Sequence, residues 1–84
     1  MPAIAAPVGD IKRFLLACLP RARSQQATLS AVYERYCRRC EENGLSALGA
    51  TEFAVDFKAI AARYGIRTQQ DGTKIYCLDV RLVA

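Results

Sequence analysis

The sequence predicts a small α+β domain in which three helices are followed by a two-stranded β-hairpin. Three observations carry this reading. Apolar residues recur at helical spacing in three separate stretches, glycines close the second and third of them, and Asp71-Gly72 separates two β-prone runs. The chain has 84 residues and a mass of 9.3 kDa, which leaves room for one domain and one small core. Hydrophobic residues make up 52% and charged residues 24%, the balance of a folded chain rather than a disordered one. Residues 1–9, with two prolines and no period, read as a flexible tail, and residues 10–84 as the domain.

Asp10 is a good N-cap for the first helix, about residues 10–19, whose apolar face is Ile11, Phe14, Leu15, Cys18 and Leu19. Pro20 stops it, because the residue before a proline is pushed out of the α region. Residues 20–28 form a polar connector, and its end near Gln26–Leu29 is able to pair as a very short strand. Ser30 is the expected cap of the second helix, which runs to Asn43 and closes at Gly44. Leu29, Val32, Tyr33, Tyr36 and Cys40 share its inner side, with Arg35 and Arg38 outside and Arg39 at the boundary. Gly49 and Glu52 make a weak capping box for the third helix, since glycine supplies no side-chain oxygen. Phe53, Phe57, Ile60, Ala61 and Tyr64 form its inner face, and Gly65 ends it. Ile66–Gln70 and Thr73–Leu82 are the two expected strands, joined by an Asp71-Gly72 turn.

This order, with Gly44 to Gly49 as the turn between the second and third helices, is the layout of a winged helix-turn-helix domain. The stretch Val32-Tyr33-x-x-Tyr36-x-x-Arg39-Cys40-Glu41-Glu42-Asn43-Gly44 resembles the "LY..Y..WCEENG" segment of one winged-helix family. That family is the C-terminal domain of phage, plasmid and poxvirus-type primase-helicases. Glu52-Phe53 with Tyr64-Gly65-Ile66, and Asp71-Gly72-x-x-x-Tyr76-x-x-Asp79-Val80-x-Leu82, are similar to its later segments. The match covers most of residues 10–82. Arg39 stands where the family usually has Trp, and Cys77-Leu78-Asp79 departs from its Gly-Ile step. The ATPase and primase domains that normally precede this module have no counterpart here. The resemblance therefore implies a fold and a DNA-associated setting, in replication or transcription control or in a mobile element, and no helicase activity.

Charge narrows the candidate surfaces. The net charge is +4, with twelve Lys and Arg against eight Asp and Glu. Residues 21–40 carry a balance of +4, residues 41–60 of −3 and residues 61–84 of +2. A nucleic-acid partner, duplex DNA ahead of single strands, would thus be held by particular faces. On the third helix Thr51, Lys58 and Arg63 are candidates for groove or phosphate contact, while Glu52 and Asp56 beside them oppose it. A solvated face, or a small-residue patch that docks a protein or a second copy, explains that helix equally well. On the hairpin Arg67, Gln69, Gln70 and Lys74 are long donors suited to phosphates or the minor groove. Arg67 and Lys74 read as cross-strand neighbours of like charge, a pairing that an anion would relieve. Arg21 and Arg23 in the connector complete the candidate set. Arg38 reads as paired at i,i+4 with Glu34 and Glu42.

Other chemistries find little support. Histidine is absent, so a zinc site on Cys37-x-x-Cys40 would have to recruit Cys18 and Cys77, which read as core. A redox pair wants a helix N-terminus, and this pair lies deep in a helix. The expectation is no metal, no cofactor and no enzyme: Ser24, Ser30 and Ser46 lack a histidine, and no glycine-rich phosphate loop is present. Four unpatterned cysteines point to a reducing, cytoplasmic setting. The longest apolar run, Phe14–Leu19, is far short of the roughly 20 residues that span a bilayer, and Met1-Pro2-Ala3-Ile4 does not begin a signal peptide.

Overall fold

A computed structural model describes residues 8–83. Three helices pack on a three-stranded antiparallel sheet: α1 (Ile11–Cys18), β1 (Arg21–Thr28), α2 (Leu29–Glu42), α3 (Ala50–Arg63), β2 (Thr68–Asp71) and β3 (Lys74–Val80). The sheet order is β1-β3-β2, so the last strand lies in the middle.

The expected two-stranded hairpin is thus one strand short. The connector after Pro20 forms an eight-residue strand, which pairs at Gln26, Ala27 and Thr28 with Leu78, Cys77 and Tyr76, near the expected short strand, and again at Arg21 with Val80. Its sequence, RARSQQAT, has no apolar alternation, because ladder bonds, polar contacts of Arg21, Ser24 and Thr28 and two half-buried alanines tie it to the body.

Helix ends follow local chemistry. Asp10 caps α1 through Oδ1, which accepts from the N–H groups of Lys12 and Arg13. Ser30 does not cap α2. Thr28 does, its Oγ1 accepting from the Ala31 N–H at 3.2 Å, because β1 delivers Thr28 extended at the helix entrance. Both α2 and α3 close in Schellman motifs. Leu45 N–H bonds Cys40 O and Gly44 N–H bonds Glu41 O; Ile66 N–H bonds Ala61 O and Gly65 N–H bonds Ala62 O. Gly65 takes φ +73°, and Ile66 beyond it turns into the core.

The hairpin register also differs from the expected one. Asp71 faces Lys74, so the two-residue loop is Gly72-Thr73 rather than Asp71-Gly72. Only Gly72, at φ +62°, is left-handed there, which suits a turn that needs positive φ at its first residue alone. The strands shift accordingly, and Ile66 and Arg67 precede β2.

The core sits between the helices and the sheet. Phe14, Val32, Tyr36, Phe53, Phe57, Cys77 and Val80 are fully buried. Their rings interlock: Tyr36 and Phe53 centroids lie 4.7 Å apart, Phe53 and Phe57 5.3 Å, and Phe14 meets Tyr36 edge-on at 5.6 Å. The Tyr36 hydroxyl donates to Gly9 O at 3.1 Å and accepts from Leu48 N–H at 3.2 Å. It thereby ties the segment before α1 to the loop before α3. Tyr33 adds a bond from its hydroxyl to Leu48 O at 2.7 Å. Burial pushes the Tyr36 phenol above its ordinary range. Of the expected tail, residues 1–7 lie outside the described residues, while Val8 bridges Ser46 and Gly9 is buried against Tyr36 and Cys40.

Candidate nucleic-acid interface

Exposed basic and amide side chains gather in three places, and the fold brings some of the sequence candidates together and keeps others apart. The first place is the junction of β1 and β3. Asp79 on β3 accepts from Ser24 N–H through Oδ1 at 3.1 Å and from Arg67 Nη2 through Oδ2 at 2.9 Å. Arg67 stands just before β2, where its carbonyl accepts from Leu78 N–H, so it reaches Asp79 from the far side of the middle strand. Arg21 and Arg23 line a cleft of 290 Å³ together with Asp79. Arg21 also donates from Nη2 to the Tyr64 carbonyl at 2.6 Å, satisfying an orphan acceptor at the end of α3. The Arg67 hydrogen bond first, and the Ser24 N–H second, hold the Asp79 carboxyl below the usual carboxylate range.

This geometry corrects one expectation. Arg67 and Lys74 are not cross-strand neighbours: Lys74 faces Asp71, and Arg67 pairs with Asp79. The shifted turn register removes the like-charge contact and with it the argument that an anion is needed to relieve it.

The second place is the hairpin. Gln69, Gln70 and Lys74 are all exposed; Gln69 faces Tyr76, Gln70 faces Ile75, and Gln70 Nε2 donates to Gly72 O at 3.2 Å. The third place is the outer face of α3. Thr51, Val55, Lys58 and Ala62 form one exposed stripe, and Glu52, Asp56, Ala59 and Arg63 form the next. Lys58 and Arg63 therefore stand on different stripes. Val55, 65% exposed, stands one turn before Lys58 on the first stripe.

The outer face of α2 departs from the sequence reading. Arg35 is half-buried rather than outside, donating from Nε to Val83 O and from Nη1 to Glu42, each at 3.2 Å. Glu42 is thus engaged by Arg35 two turns away. The i,i+4 pairs expected of Arg38 with Glu34 and Glu42 do not form among the described residues.

The residue that sequence reasoning missed is Asp79. Its signal was present: a carboxylate inside the apolar run Ile75–Val80, where strands seldom place one. Among the described residues no group of three or more His, Cys, Asp or Glu side chains is placed to hold a metal ion. Cys18, Cys40 and Cys77 are buried and Cys37 half-buried, all as free thiols, and burial pushes the Cys77 thiol up to about 11. No helix among the described residues is long and apolar enough to cross a membrane. No family model matches the sequence, and no curated protein matches it.

Proposed function

We propose that the chain is a nucleic-acid-binding module of the winged-helix kind, with duplex DNA as its ligand and β2–β3 as the wing. The observation that carries the reading is the gathering of exposed Arg21, Arg23 and Arg67 at one strand junction, with Gln69, Gln70 and Lys74 on the adjoining hairpin. The order of helices and strands and the resemblance to primase-helicase C-terminal domains support it further. A replication or transcription-control role in the reducing cytoplasm follows from the same reading. The module works by binding, with no catalytic step.

Affinity on this reading is chiefly electrostatic. Each phosphate neutralised contributes about −0.9 to the slope of log K against log salt. Arg21, Arg23, Arg67 and Lys74 would supply that term, with Gln69 and Gln70 reaching sugar or base edges. Lys58, Thr51 and Arg63 on α3 would add contacts along a face that Glu52 and Asp56 partly oppose.

A second reading is favoured by one observation. Val55 stands exposed at the middle of α3 beside Thr51, Ala59 and Ala62, a small-residue patch suited to docking a protein or a second copy. Fluorescence anisotropy of labelled random-sequence duplex and single-stranded DNA, at low and at high salt, separates the two. Steeply salt-dependent duplex binding supports the first; no binding at low salt, with self-association on sedimentation, supports the second.

A further inference from the structure

β1 and β3 run out of step. Arg21 faces Val80 and Gln26 faces Leu78, so Ala22, Arg23, Ser24 and Gln25 stand opposite the single residue Asp79. Both sides of this bulge are left-handed, Ser24 at φ 66° and Asp79 at φ 57°. No other non-glycine residue among those described adopts positive φ. Such conformations collect where surrounding structure over-determines them, often at binding sites, and bulges serve to re-aim side chains.

What the bulge aims is a set of guanidinium groups. Arg67 bonds Asp79 from one side, and on the other Arg21 and Arg23 line with Asp79 a cleft of 290 Å³. The cluster therefore carries two positive charges in excess. Arg67 uses one of its five N–H donors on Asp79, and Arg21 uses one on Tyr64 O. The side chain of Arg23 makes no ion pair among the described residues. A guanidinium that needed only neutralising would be satisfied by the Arg67–Asp79 pair. The remaining donors form a fork-rich, open, positively charged cleft, which matches the shape and charge of a phosphate group.

Resting on the nucleic-acid reading above, we infer that this bulge receives one phosphate of the nucleic-acid backbone. Arg21 and Arg23, which line the cleft, meet its oxygens, Arg67 braces Asp79 from the far side, and Asp79 is a positioning residue. Asp79 fixes Arg67 through Oδ2 and, through Oδ1 and Ser24 N–H, fixes the bulge that presents Arg23. The hairpin residues Gln69, Gln70 and Lys74 then follow the strand away from this anchored point.

The test is an NMR titration of the amide and arginine Nε signals. Inorganic phosphate is compared with sodium chloride at matched ionic strength, and a short random-sequence duplex follows. Phosphate, unlike chloride, is expected to shift Ser24 N–H and the Nε signals of Arg21 and Arg23. Arg23→Gln should abolish those shifts and make the duplex salt slope shallower by about 0.9. Asp79→Asn tolerates left-handed backbone and folds, but its single amide oxygen cannot accept from both Ser24 N–H and Arg67, so the bulge that presents Arg23 loosens. It raises the net charge by one yet should weaken duplex binding, by roughly threefold. Tighter binding in Asp79→Asn, as simple Coulomb attraction dictates, overturns the positioning role. Duplex binding that leaves the cluster signals unmoved and Arg23→Gln unaffected overturns the phosphate site while sparing the wider reading. Phosphate shifts at the cluster with no duplex binding overturn the assignment to nucleic acid.

Discussion

Tyr36→Phe isolates one oxygen atom that joins three parts of the chain. The ring stays, so the aromatic stack with Phe14 and Phe53 is kept. The hydroxyl goes, and with it the bond to Gly9 O at 3.1 Å and the bond from Leu48 N–H at 3.2 Å. Gly9 is buried and Leu48 half-buried, so water does not freely replace the lost partner. A net hydrogen bond is worth about 1 kcal/mol, and a buried group left unsatisfied costs about 1–3 kcal/mol, so the expected loss is about 2–4 kcal/mol. For a domain of this size that lowers Tm by roughly 10–30 °C. Thermal and urea unfolding followed by circular dichroism measure it, with Tyr33→Phe as the comparison. Tyr33 makes a single half-buried bond to Leu48 O, so its change should cost only about 1 kcal/mol. A Gly9→Ala change would press a methyl group onto Cys40 Sγ and the Tyr36 ring, so combined with Tyr36→Phe it should cost less than the two separately. A Tyr36→Phe protein as stable as its parent, or more stable than Tyr33→Phe, would refute the view that this hydroxyl fastens the N-terminal segment and the α2–α3 loop to the core.

The Asp79 carboxyl is held low by Arg67 and by Ser24 N–H, so its contribution to stability is present above the ordinary carboxylate pKa of about 3.9. That contribution disappears as pH falls through the depressed folded value, and an acid titration of Asp79→Asn should show a flatter limb there. The Cys77 thiol, raised to about 11, works in the opposite direction. The folded state holds its proton more tightly, so stability should fall as pH rises from about 8.5, where a free thiol ionises, toward about 11. With a thiol reagent at neutral pH, half-buried Cys37 should react first; the three buried cysteines should react only at the rate of opening, and equal rates for all four would contradict the packing. Thr28→Ala should cost about 1 kcal/mol in urea unfolding and Ser30→Ala a few tenths at most, and the reverse order would restore Ser30 as the cap.

Much of the fold was legible because its helices advertise themselves. The inner faces of α1, α2 and α3 were readable from spacing, since Phe14, Tyr36, Phe53 and Phe57 recur where a helix turns inward. The glycines at the ends of α2 and α3 were readable because Schellman closure needs them. The paired end of β1 near Gln26 was readable, but its extension back through the bulge to Arg21 was not, because that stretch is polar save for Ala22 and shows no alternation. The hairpin register was misplaced by one residue, as Asp-Gly and Gly-Thr both satisfy a two-residue loop and only the partner strand decides between them. That one-residue shift also dissolved the Arg67–Lys74 contact. Of the candidate site, the long exposed donors were visible as residue types. Their convergence was not, because it depends on a bulge and on Asp79, and nothing local to Arg21 or Arg23 announces either.

The position of β3 between β1 and β2 has a consequence for the chain as it leaves the ribosome. β1 emerges early, and the strand it pairs with follows roughly fifty residues later, about 3–10 s at ordinary synthesis rates. Over that interval β1 is an unpaired edge, the kind of segment on which neighbouring nascent chains aggregate. Its sequence, with Arg21, Arg23, Ser24, Gln25 and Gln26 in succession around one alanine, offers such neighbours nothing apolar to grip. The polarity that conceals this strand from a reader also protects it while it waits.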